Sequence, residues 1–173
     1  IRKVEIDGFA FRMKNYSSEK TRYEGGINWN DLDIQGIDLK AKELQFKGGV
    51  MSGGLEELSF QEKSGYICHQ ISGSAKVGNG KAIIRDFSLS DPWSGLSLPL
   101  FMMTYENVKA FNDYIANVRM DAELSESIVD FQTIEHFAPQ LKDNRLIIGI
   151  SSGKFSGTVD DFTVSGLNVS SRS

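Results

Sequence analysis

Five times along the chain an acidic residue precedes Leu or Phe, then any residue, then a second apolar residue. The copies are Asp31-Leu32-Asp33-Ile34, Glu43-Leu44-Gln45-Phe46, Glu57-Leu58-Ser59-Phe60, Asp86-Phe87-Ser88-Leu89 and Asp161-Phe162-Thr163-Val164. Successive side chains of a strand point to opposite faces. Each copy therefore places two apolar side chains on one side of a strand and polar ones on the other. The first three copies start 12 and 14 residues apart and the fourth follows 29 later. Regular spacing of short strands predicts a meander, sandwich, barrel or solenoid, with one strand per period.

The rest of the chain agrees. Ala is scarce (8) while Ser (20) and Gly (17) are abundant, a balance that favours strands and turns over helices. Val118, Met120, Ala122 and Leu124 alternate with Arg119, Asp121 and Glu123, the period of a half-buried strand. Leu96, Leu98 and Leu100 alternate with Ser97 and Pro99, and the missing N–H of Pro99 predicts a sheet edge there. Val77-Gly78-Asn79-Gly80-Lys81 and Glu62-Lys63-Ser64-Gly65 read as hairpin turns, and the Gly pairs at 25–26, 48–49 and 53–54 as turns or bends.

Two stretches change phase part-way. Val4 and Ile6 give way to Phe9, Phe11 and Met13; Ile37, Leu39 and Ala41 give way to Leu44 and Phe46. A bulge or bend is required at each change, which predicts a strongly curved sheet or strands that turn a corner. Helical spacing occurs in 105–118 (Tyr105, Val108, Phe111, Ile115, Val118) and in 131–138, where Asp130 is the expected N-cap and Pro139 the stop. The expectation is one β-rich segment over 1–173, cut from a longer polypeptide, with a helix-containing insertion at 105–138.

Residue chemistry excludes more than it assigns. A net charge of −4 argues against a nucleic-acid footprint. No apolar run approaches the ~20 residues of a membrane-spanning helix. The single cysteine, Cys68, rules out an intrachain disulfide framework and a Cys-built zinc site. Cys68 and the adjacent His69 point apart in a strand, and Cys68 reads as a buried apolar residue rather than a nucleophile paired with His136. Glu56-Glu57, Glu123/Glu126 and Asp160-Asp161 carry no catalytic framing and read as surface charge. Gly78-Asn79-Gly80-Lys81 lacks the spacing of a phosphate loop. No cofactor or metal is expected. Trp29 and Trp93 flank turns and read as packing residues, with sugar stacking as their functional alternative.

Several segments together resemble one family. Leu58-Ser59-Phe60-Gln61-Glu62-Lys63-Ser64-Gly65-Tyr66, Ile84-Arg85-Asp86-Phe87-Ser88-Leu89, Ser94-Gly95, Tyr105, Ser127-Ile128-Val129 and Phe137-Ala138-Pro139-Gln140-Leu141 follow in an order similar to the TamB and AsmA-like envelope proteins, in the form seen in Bacteroidetes. The lead-in Ile27-Asn28-Trp29-Asn30-Asp31-Leu32 and the stretch Leu39 to Phe46 fit as well. The resemblance implies an inner-membrane-anchored, periplasm-spanning protein whose strands form a long, curved, taco-like sheet with an apolar concave face. It implies phospholipid transport towards the outer membrane and help in assembling outer-membrane proteins, with any outer-membrane assembly partner contacted by parts of the protein outside this chain.

On that reading phospholipid acyl chains are the cargo. The candidate groove is Leu44, Phe46, Leu58, Phe60, Phe87, Leu89, Phe162 and Val164. The same alternation serves a closed core equally well, and the residues alone leave both open. The competing readings are a secreted or surface β-sandwich that binds glycan or protein, and a hydrolase built on clustered carboxylates.

Overall fold

The structure, a computed structural model, describes residues 1–16, 26–107, 109–110, 114–143, 145–158 and 160–172. Its strands are β1 (Lys3–Lys14), β2 (Asp31–Lys47), β3 (Val50–Glu62), β4 (Ile67–Cys68), β5 (Gln70–Gly78), β6 (Lys81–Ser90), β7 (Gly95–Thr104), β8 (Arg119–Leu124), β9 (Ser127–Asp130), β10 (Ile147–Gly157) and β11 (Phe162–Arg172). The helices are α1 (Tyr114–Asn117) and α2 (Phe131–Phe137), the latter followed by a single 3-10 turn at Pro139–Leu141. All eleven strands belong to one antiparallel sheet in the order β1-β2-β3-β5-β6-β7-β8-β10-β11. The remaining two fill gaps in that order: β4 pairs with the end of β3 beyond β5, and β9 pairs with β10 beyond β8. The sheet is thus a nearest-neighbour meander, and the two-sheet sandwich is not its architecture.

The turns are those the sequence marks. Asn79 and Gly80 both have positive φ (54° and 72°), the two left-handed positions that let a two-residue hairpin follow the strand twist. Gly48 and Gly49 do the same between β2 and β3. Glu62 closes the next turn, its carbonyl accepting from Gly65 N–H at 2.9 Å.

Gly53 and Gly54, expected in a turn, lie inside β3 instead. Their smallness serves packing: a Cβ at Gly53 would collide with the Leu44 side chain.

The phase changes have a local cause. Gly8, Gly36, Glu43, Asp86 and Gly166 all sit in the left-handed region with φ between 51° and 63°. Each coincides with a register shift, for example between Ile6 and Phe9 or between Lys42 and Gln45. Each inserts one extra residue, so the alternation resumes with the same side still apolar. These strands therefore keep their apolar side chains on one face through each phase change.

Three expectations need correction. One repeat per strand fails at β2, whose 17 residues hold two copies on either side of bulges. The edge expected at Pro99 is absent, because β7 is paired on both sides, with β6 and with β8 and β9. Pro99 is tolerated because it falls opposite the bulge residue Asp86 and in the gap between β8 and β9, where no register pair includes it.

The third is the helix over 105–118. Among its described residues 105–107 are not helical and α1 is a single turn at Tyr114–Asn117, while Val108 and Phe111 lie outside the described residues. Tyr105 N–H still bonds across to the Gly80 carbonyl at 2.9 Å, prolonging the β6–β7 ladder. Within 105–138, residues 119–124 and 127–130 are sheet strands, β8 and β9. The second helix forms where expected: Asp130 caps α2, accepting from Gln132 N–H at 2.8 Å.

Candidate functional site

Residues opposite one another in an antiparallel pair share a face, so the register defines two surfaces. One cross-strand row reads Phe46, Met51, Val77, Ala82, Met103, Met120, Gly157, Phe162 from β2 to β11. The parallel row two residues along reads Gly53, Ala75, Ile84, Phe101, Ala122, Phe155, Val164, with Leu44 lying over Gly53. No polar side chain interrupts either row.

Further along the strands the same face carries Ile6, Leu39 and Leu58 in register, then Ile71, Leu89 and Leu96, with Phe87 opposite Leu98. Phe60 follows Leu58 by two residues, opposite Cys68. All eight candidate groove residues thus share one face. Each is at least partly exposed: Leu44, Leu58, Phe60, Phe87 and Leu89 are half-buried, and Phe46 (79%), Phe162 (53%) and Val164 (41%) are open.

Among the described residues little covers this face. The only apolar residues buried among those described are Ala41, Tyr66, Cys68, Ala82 and Val118. An apolar depression of about 320 Å³ lies over β2, β3, β5 and β6, lined by Ala41, Leu44, Met51, Leu55, Ile71, Ala75, Val77, Ile84 and Phe87.

The opposite face is mostly polar, with Ile83, Leu100 and Met102 as apolar members of its rows. Its rows read Gln45, Ser52, Lys76, Ile83, Met102, Asp121, Ser156, Thr163 and Lys42, Gly54, Ser74, Arg85, Leu100, Glu123, Lys154, Ser165. Charges pair there: Lys40 with Glu57 at 2.5 Å, Lys42 with Glu56 at 2.8 Å, and Lys154 with Glu123 at 2.9 Å. The lysine bonds hold the Glu56 carboxyl below its ordinary range and Lys40 and Lys42 above theirs. The carboxylates considered for acid–base work at Glu56, Glu57 and Glu123 are thus ion-paired to lysines. Among the described residues no group of three His, Cys, Asp or Glu side chains could hold a metal ion.

The two ends of the apolar face differ. At the hairpin end, Phe46, Met51 and Phe162 form an exposed rim beside half-buried Met103. At the other end α2 sits over Tyr66, which meets Phe60 on one side (6.2 Å between centroids) and His136 and Phe137 on the other (5.5 and 5.0 Å). Trp93 stacks on His136 at 5.6 Å, and exposed Trp29 lies 6.5 Å from Phe137. Both tryptophans therefore pack against α2.

Hydrogen bonds latch the helix down. Thr133 Oγ1 lies 3.0 and 2.8 Å from the two Asp91 carboxylate oxygens and 2.7 Å from Ser94 Oγ, which in turn accepts from Asp130 N–H at 2.9 Å. Asp91 also receives the N–H groups of Trp93 and Ser94 at 2.8 and 2.7 Å.

Tyr66, which α2 covers, and Cys68 are each only 2% exposed. Burial, then the Asp91 charge, pushes the Cys68 thiol up to about 11 and raises the Tyr66 phenol as well. A thiol held protonated makes a poor nucleophile. The Tyr66 hydroxyl is buried near the Asp91 carboxylate without a well-formed hydrogen bond.

Much of the apolar surface falls in none of the motifs read from the sequence: Met51, Ala75, Phe101, Met103 and Phe155 belong to it. Some signal was present, since Val77 and Ala82 flank the Asn79-Gly80 turn and so must share a face. The chain matches no protein-family model, no curated protein and no solved structure. No helix among the described residues is long and apolar enough to cross a membrane.

Proposed function

We propose that this chain is a non-enzymatic segment of a TamB/AsmA-like envelope protein whose apolar face guides phospholipid acyl chains between membranes. The observation that carries the reading is the pair of unbroken apolar rows from β2 to β11, left open on a sheet whose other face is mostly polar and ion-paired. Contiguous apolar surface of this extent on a soluble domain marks a binding site. An acyl chain is a fitting occupant, since the rows offer area and no hydrogen-bonding groups. Each methylene moved from water onto such a surface is worth ~0.8 kcal/mol, so a chain is held without a specific pocket and can still slide.

In the proposed setting the full-length protein is anchored in the inner membrane and this segment stands in the periplasm. Outer-membrane protein assembly would be served through other parts of that protein. The test is photocrosslinking in cells. A photoreactive residue at Phe87, Met103 or Phe162 is expected to capture phospholipid, and one at Lys76, Lys154 or Thr163 on the polar face is not. Equal capture on both faces, or none on either, refutes the proposal.

A further inference from the structure

On the mostly polar face one cross-strand row reads Ser90, Gly95, Ile128, Gly149, Ser170. Its two glycines leave the backbone bare on either side of exposed Ile128. A cleft of about 600 Å³ opens there, within the size range of small-molecule sites, with its floor on β7, β9 and β10. Each of these strands is paired on both sides. Trp93 forms one wall. Its indole is held in place, because Asp91 accepts from Trp93 N–H at 2.8 Å and His136 stacks on the ring at 5.6 Å. Trp93, Ile128 and Ile147 also line an adjoining depression.

The lining selects a kind of ligand. Ser88, Ser90, Ser151 and Ser170 bring hydroxyls that both donate and accept. Among the described residues that line the cleft there is no Lys or Arg, Asp91 is engaged with Thr133, and exposed Glu126 supplies a carboxylate acceptor. An anion would find no counter-charge. A wholly apolar molecule would strand the hydroxyls. A sugar ring suits both features: its C–H face lies on an indole, and its hydroxyls meet serines and a carboxylate. We infer that this cleft binds a neutral saccharide, with Trp93 as the platform and the bare glycine floor allowing close approach. The site is on the face opposite the apolar rows, so this inference is independent of the lipid proposal.

NMR titration of the chain with cellobiose, maltose and N,N′-diacetylchitobiose, up to about 10 mM, tests it. At least one sugar is expected to shift the Trp93 indole N–H and the Gly95 and Gly149 amides saturably, leaving the Trp29 indole unmoved. A Cβ at Gly95 meets nothing within 4 Å, and Gly95 is not left-handed, so Gly95→Ile fills the cleft without backbone strain. It should raise the dissociation constant about tenfold or more. Glu126→Gln, an exposed change, should weaken binding about threefold through the lost charge-assisted bond. Lys76→Ala, on the same face outside the cleft, should leave binding unchanged. The hexamer of the sugar that binds separates two sources: affinity equal to the disaccharide's assigns a free or chain-end unit, and much tighter binding assigns the interior of a polymer. No saturable shift with any of the three sugars, shifts centred on Trp29, a dissociation constant unmoved by both cleft variants, or an equal loss in Lys76→Ala would each overturn the assignment.

Discussion

Thr133→Val removes one hydroxyl and keeps the side-chain shape. Thr and Val have similar helix propensities, so α2 itself is little affected. What is lost is the bond from Thr133 Oγ1 to the buried Asp91 carboxylate, 2.8 Å at its shorter contact, and the contact with Ser94 Oγ at 2.7 Å. A hydrogen bond to a charged group contributes roughly 1.5–3 kcal/mol, and an orphaned buried hydroxyl costs a similar amount. Asp91 keeps the two N–H donors from Trp93 and Ser94, and Ser94 keeps Asp130 N–H, so the smaller figures apply. The expected loss is about 2–3 kcal/mol, mostly in the docking of α2.

Denaturant unfolding gives the global part. The local part is read at Cys68, the one thiol, which is buried and feels the charge of the same Asp91 that anchors Thr133. With fast reclosing, thiol labelling tracks the open population, and 2–3 kcal/mol corresponds to about 30- to 150-fold faster labelling. A loss below about 0.5 kcal/mol with Cys68 labelling unchanged would refute the latch and leave α2 held by the Tyr66, Phe137 and Trp93 rings alone.

Other perturbations give distinct outcomes. Tyr66→Phe removes a buried hydroxyl that lies near the Asp91 carboxylate without a well-formed hydrogen bond, so thermal unfolding should show equal or greater stability, by up to about 1 kcal/mol; a loss would mean that the hydroxyl bonds to Asp91 in solution. The Cys68 thiol is raised from 9.0 to about 11 by burial and by Asp91. The unfolded chain therefore ionises first as pH rises, so this residue's contribution is intact below pH 9 and is lost between there and about 11. Cys68→Ala should flatten that part of the stability–pH curve, and an unchanged slope would assign it elsewhere. Glu43 occupies the left-handed region at φ 54°, which costs a side-chain-bearing residue roughly 1 kcal/mol. Glu43→Gly should keep the bulge and be neutral or stabilising by chemical denaturation, whereas a clear loss would show that the carboxylate itself holds the bulge.

The sequence made the class of fold legible for a plain reason. Period-two alternation in stretches such as Val118 to Leu124 survives any tertiary arrangement, and the Asn79-Gly80 turn has one good backbone solution. Asp130 and Pro139 likewise bracket α2 by purely local chemistry. The misreadings at Pro99, Gly53 and 105–118 share a different origin. Pro99 is acceptable in an interior strand because no register pair includes it, either beside left-handed Asp86 or in the gap between β8 and β9, and Gly53 is small because Leu44 crosses over it. Both reasons reside in another strand and leave no mark in the local sequence. Whether Phe46 or Phe162 faces a sealed core or an open surface was equally illegible, because the answer depends on what the chain puts above the sheet.

The bulges tie these observations to function. A sheet that buried both faces would have little need to keep its apolar residues in one phase, since either side would find a core. Here the apolar side is kept continuous across five left-handed positions, two of them non-glycine and therefore strained. Glu43 and Asp86 are also the acidic residues that open two of the repeat copies, so in those copies the motif is itself the bulge: the acid turns the chain and the next two apolar residues fall back onto the common face. Strain of this kind persists where the surrounding structure gains from it. In this sheet the gain is an apolar surface that runs without a break from β2 to β11, wide enough that its purpose has to be sought in what lies against it.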